Sequence, residues 1–170
     1  MKKLLFILTT FVALTFAQTT TAQNTIVDVA VGNEDFSTLV AALKAADLVS
    51  ALQGDGPFTV FAPTNSAFAK IDADALGNLL KPENKATLSN ILTYHVIPSK
   101  LMASDVVAAL KKGNGSVEVK ALNGTVLTVV SKDDKIWLKD AAGNYSEIVA
   151  TDVAASNGVI HVIDTVVMPK

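Results

Sequence analysis

The stretch Asn157-Gly158-Val159-Ile160-His161-Val162-Ile163-Asp164-Thr165-Val166-Val167 decides how the chain must fold. Asn157-Gly158 marks a turn, and Val159 to Val167 is the longest β-type run that follows one. Its apolar residues are nearly continuous rather than alternating, which implies a strand buried on both faces. Such a strand needs other strands beside it and further elements above and below. Just upstream lie the strands to supply them. Val117-Glu118-Val119 alternates, Leu122-Asn123-Gly124-Thr125 carries the dipeptide favoured in tight hairpins, and Val126 to Val130 follows. Ile136-Trp137-Leu138 and Glu147-Ile148-Val149 complete a set that predicts an antiparallel sheet.

The covering elements come from the first half of the chain. Phe36, Leu39, Val40 and Leu43 have the spacing of a buried helical stripe, which Leu48, Val49 and Leu52 continue as far as the breaker Gly54-Asp55-Gly56-Pro57. Phe58 to Phe61 is a short β-type run stopped by Pro63, and Thr64, Asn65 or Ser66 can cap a helix that carries Phe68 and Ile71 inward. Pro82 suits a first helical turn ahead of the stripe Leu88, Ile91 and Leu92. Ser104 or Asp105 can cap a last helix through Leu110, closed by Lys111, Lys112 and Gly113. Helices first and an antiparallel sheet second is an α+β pattern.

Composition narrows the function. The chain has 170 residues, enough to bury one ordinary core without staples. It has no Cys, hence no disulfide, thiolate metal site or cysteine nucleophile, and no Arg, hence no bidentate fork for phosphate or carboxylate. A net charge of −2 gives no clustered positive surface for nucleic acid. At the N-terminus, Lys2 and Lys3 precede the apolar run Leu4 to Phe16, which is too short to cross a hydrocarbon core of ~30 Å. Small residues then place a signal cleavage after Ala17 or Ala22. Residues 1–22 are therefore expected to be an export signal and 23–170 a single domain, without Lys2 and Lys3 and with a net charge of −4. No later apolar run is long enough to span a membrane. A secreted or periplasmic location follows.

Chemistry is sparse. His95 and His161 lie in apolar segments far apart in sequence, with no close-spaced ligand pair and no HExxH, so no metal site is expected. Asp72-Ala73-Asp74 and Asp133-Asp134 are too few for a calcium loop and read as caps and turns. No G-x-S-x-G elbow and no phosphate loop is present, so catalytic residues are expected to be none, and no cofactor is implied. Each imidazole among branched apolar neighbours should hold a hydrogen bond, because burying one unpaired costs about 1–3 kcal/mol. Trp137 and Tyr145 read as packing residues.

Three segments, in order, resemble the fasciclin-like domain family: Phe58-Thr59-Val60-Phe61-Ala62-Pro63-Thr64-Asn65-Ser66-Ala67-Phe68; Leu92-Thr93-Tyr94-His95-Val96-Ile97-Pro98; and Asn157 to Asp164, running on to Pro169. The resemblance covers essentially all of the chain after the signal. It implies N-terminal helices packed against an antiparallel β wedge, in a secreted or surface-anchored adhesion module. The family's partner contacts have been attributed to its tyrosine–histidine motif and to an aspartate–isoleucine pair before the last block. By position these are Tyr94 and His95, and Asp152 with Val153, where valine replaces the isoleucine. The implied partners are a surface or matrix protein or a polysaccharide, bound by a monomer. A carrier or sensor of a small apolar or glycan ligand in the envelope is the alternative. Phe61, Phe68, Tyr94, His95, Val159 and His161 are also residue types that build a core, so the signature can preserve the fold as well as a site.

Overall fold

The computed structural model describes residues 24–170; the expected signal and its two cleavage positions lie outside the described residues. Helix α1 (Ile26–Val31) is capped by Thr25, whose hydroxyl accepts from the Asp28 N–H while the Asp28 carboxylate accepts from Thr25. A short turn, Glu34–Phe36, leads into α2 (Ser37–Ala45) and α3 (Val49–Gln53). The apolar stripe spans both helices, but Asp47 has φ 60°, a left-handed residue that ends one helix before the next begins. Strand β1 (Phe58–Pro63) stops at its proline. Thr64 caps α4 (Asn65–Phe68), and Asp72 caps α5 (Ala73–Leu79) through the N–H groups of Asp74 and Ala75. Helix α6 (Lys85–Tyr94) runs into the two-residue strand β2 (Val96–Ile97), and α7 (Ala103–Lys112) follows.

Five further strands complete the chain: β3 (Ser116–Lys120), β4 (Val126–Lys132), β5 (Lys135–Lys139), β6 (Tyr145–Ala155) and β7 (Gly158–Ile163). The sheet order is β2-β1-β7-β6-β5-β4-β3. Five of its pairs are antiparallel. The sixth, β1 with β7, is parallel: the strands of the second half pair antiparallel as expected, and β1 from the first half joins them alongside β7. The two ends of the sheet approach each other. The Leu122 N–H, in the β3–β4 turn, donates to the Val96 carbonyl of β2 at 2.7 Å.

The expectation of a doubly buried strand holds for β7, where every residue but Val162 is buried. Ile160 packs into a cluster with Ile26, Leu39, Leu43, Phe68 and Leu92 beneath the helices. Ile163 belongs to a second cluster with Phe61, Tyr94, Leu127, Val129 and Leu138, inside the curled sheet and under α7. The strand is shorter than its apolar run. The ladder closes just past Ile163, where the Asp164 N–H donates to the Glu147 carbonyl at 3.1 Å while the Asp164 carboxylate, also held by the Lys70 ammonium at 2.9 Å, accepts the Glu147 N–H at 2.8 Å. The longest strand is instead β6, whose register slips twice against β7, between Ile148 and Ala150 and between Ala150 and Val153.

Candidate functional site

Tyr94 and His95 sit where α6 gives way to β2, and both are buried, at 0% and 2% exposure. The helical stripe that carries Leu88, Ile91 and Leu92 inward brings Tyr94 to the interior one turn later. Its hydroxyl donates to the Val126 carbonyl at 3.1 Å and accepts from the Ala141 N–H at 3.1 Å. One side chain thus ties the end of α6 to the start of β4 and to the β5–β6 turn. Burial pushes the phenol pKa up, and the neighbouring Asp140 carboxylate adds to the effect.

His95 is bonded on both nitrogens. Nδ1–H donates to the Ile91 carbonyl at 2.8 Å, and Nε2 accepts from the Val167 N–H at 3.2 Å. This pattern is that of the neutral ring, and burial pushes its pKa down to about 4. His161 has the other tautomer: Nε2–H donates to the Leu101 carbonyl at 2.8 Å and Nδ1 accepts from the Asp152 N–H at 3.3 Å. Its ring also lies 5.7 Å from that of Phe61. Both imidazoles therefore satisfy backbone that lies outside regular pairing, as the sequence required.

Asp152 lies on the exposed side of β6, at the second register slip, with φ 58°. Its carboxylate accepts from the Ala103 N–H at 2.8 Å, capping α7 from a distant strand. Asp105, expected as a cap within the helix, accepts from the Met102 N–H at 3.1 Å. Val153 pairs with Ile160 and is half-buried against the helical core. The structure brings Asp152 together with His161 and α7. Among the described residues, no hydrogen bond joins Asp152 or Val153 to Tyr94 or His95.

Two polar anchors had no clear signal in the sequence. Asp140, 5% exposed, accepts from the Asn144 N–H and side-chain amide and from the Met168 N–H. Asn157, which reads only as a turn residue, donates to the Leu52 and Gly54 carbonyls and accepts from the Ile26 N–H. Every buried side-chain polar atom of the described residues finds a partner. Among those residues no three His, Asp or Glu side chains converge as a metal site would require, and no helix is long and apolar enough to cross a membrane. Two internal apolar cavities, one beside His161 and one beside His95, hold about 10 Å³ each. Ligand pockets run to roughly 300–1,000 Å³; spaces of about 420 Å³ are present as open surface grooves, one between the Gly54–Pro57 loop and Asn157 and one between α7 and the β4–β5 hairpin.

Residues 34–169 match the fasciclin domain. Over 145 residues the chain is 54% identical to "Protein sll1483" of Synechocystis, covering 85% of this chain and 73% of that protein. It is 36% identical to the "Cell surface glycolipoprotein MPB83" of Mycobacterium bovis, covering 87% of this chain and 62% of that one. Among solved structures, a pair of FAS1 domains from the insect cell adhesion molecule fasciclin I superimposes with a TM-score of 0.57 at 21% identity, over 76% of this chain and 43% of that one. That last likeness is one of fold, and it matches the mixed sheet and packed helices found here. With a family match across nearly all of the described residues and a relative 54% identical, the chain belongs to the fasciclin domain family.

Proposed function

We propose that the protein is a secreted or periplasmic adhesion module, a monomer that attaches through its exterior to a surface or matrix protein or a polysaccharide. The observation that carries this reading is the use to which the chain puts its chemically capable side chains. Tyr94, His95, His161 and Asp140 all bond internal backbone groups. The cavities beside the two imidazoles are too small to hold a cargo, and the larger grooves lie open to solvent, which favours a surface contact over an enclosed ligand. The names of two similar proteins, one a cell-surface glycolipoprotein and one a cell adhesion molecule, support the same class. Of the four residues that the family resemblance implies, Asp152 and Val153 lie on a segment that reaches the surface. Tyr94 and His95 act on a partner only through the segments they hold in place.

The test is retention of the purified protein on envelope fractions and exopolysaccharide of its host. Saturable retention on one fraction, competed by excess free protein, is expected. A protein retained by none of them, with a small molecule co-purifying in equal amount, would make it a carrier instead.

A further inference from the structure

The outward face of β3–β6 holds aromatic residues that stand outside both core clusters. Leu127, Val129, Leu138 and Ser146 point into the core, so their neighbours along each strand point to solvent. Trp137, the only tryptophan in the chain, stands in the middle of this face, paired with Val130 on one side and Glu147 on the other. It is only half-buried, and its indole N–H donates to the Lys132 carbonyl at 3.3 Å, which fixes one edge of the ring. On the next strand, two pairs along, Tyr145 is 49% exposed, with the Lys139 ammonium 5.9 Å from its ring centre. That distance is at the outer limit of a cation–π contact, leaving the ammonium free to turn to another partner. Large aromatic rings set on a solvent-facing sheet gain nothing for the core.

The fringe around the rings identifies what would cover them. Lys120, Lys132, Lys135 and Lys139 are balanced by Glu118 and Glu147 on the face and by Asp133 and Asp134 in the β4–β5 turn. One pair is already joined, Lys135 to Glu147 at 2.7 Å. The patch is therefore neutral overall but mixed in donors and acceptors, which suits neither a polyanion nor a cationic partner. A protein partner fits less well, since protein interfaces share the aromatics but are depleted in the lysine and glutamate that fringe these rings. A chain of uncharged sugars fits both halves: an apolar C–H face for the rings, and hydroxyls that donate to the carboxylates and accept from the ammonium groups.

We propose that the Trp137–Tyr145 face of β3–β6 binds an uncharged polysaccharide, stacking a pyranose ring on Trp137. This rests on the adhesion reading above and names the partner class for it.

The single tryptophan makes the test direct. Purified protein is run in native gels containing hydroxyethylcellulose, galactomannan, dextran or polygalacturonate, and tryptophan emission is titrated with the same polymers. Retardation by at least one neutral polymer is expected, with a saturable change in emission. Trp137→Ala should weaken it about ten-fold while remaining folded at the assay temperature by circular dichroism. Tyr145→Ala, on an exposed ring, should weaken it about three-fold and stands in if the tryptophan variant misfolds. No retardation by any neutral polymer, retardation by polygalacturonate alone, or full retardation of both variants would overturn the proposal. Retention of Trp137→Ala on a host protein fraction would leave adhesion standing and this face without its role. Failure of the wild-type protein to attach to anything would remove both.

Discussion

His95 is a neutral imidazole enclosed by protein, and that gives acid stability a defined shape. Its pKa of about 4 lies below the ordinary 6.5. Between those values the unfolded chain takes up a proton that the folded protein refuses, so stability falls as pH drops through the window. The loss from this group amounts to about 3 kcal/mol at most. Urea unfolding at pH 7 and pH 4.5 should show it, and His95→Gln, which does not titrate, should flatten the difference. Tyr94→Phe removes one hydroxyl from two backbone partners and should cost about 2 kcal/mol, a drop in Tm of roughly 4–8 °C. At Asp152 the carboxylate caps α7 and the backbone is left-handed. Asp152→Asn keeps both features and should melt near wild type, whereas Asp152→Ala should cost about 1–2 kcal/mol in thermal unfolding. The burial of both histidines was legible from their branched neighbours. The bond partners were not, because Ile91, Val167, Leu101 and Asp152 contribute backbone groups that any residue would supply.

At the scale of elements, the central parallel pair depends on a close approach. A Cβ on Gly158 would sit 2.1 Å from the Phe58 carbonyl oxygen, so no side chain fits between β7 and β1 there. Next to it, Asn157 fastens the end of α3, its following loop and the first turn of α1 to the start of β7. Asn157→Asp replaces a two-bond donor with an acceptor facing two carbonyls. It should lower Tm by as much as or more than Tyr94→Phe, which differential scanning calorimetry would read. Strands with regular alternation or long apolar runs could be read directly, among them β1, β3 and β7. The parallel partnership of β1 and β7 could not, since pairing between strands so far apart in sequence leaves no local pattern. The length of β6 was hidden as well, because its register slips and the left-handed Asp152 break the two-residue period that betrays a strand.

For the whole molecule, a closed polar economy inside is set against an open sheet face outside. The most recognisable residues, Tyr94 and His95, hold a turn, a hairpin and the C-terminal segment against two cores. Their place in the interior explains why motif and site need not coincide in this domain. Trp137 and Tyr145, which the sequence marked as packing residues, stand partly in solvent because the pleat of β5 and β6 turns them outward. Attachment of Tyr94→Phe and His95→Gln to the host fraction that retains the wild-type protein, measured at a temperature where both variants are folded by circular dichroism, tests the central claim most directly. Wild-type retention is predicted for both, with only Tm reduced; loss of retention by a variant that is fully folded would contradict the account.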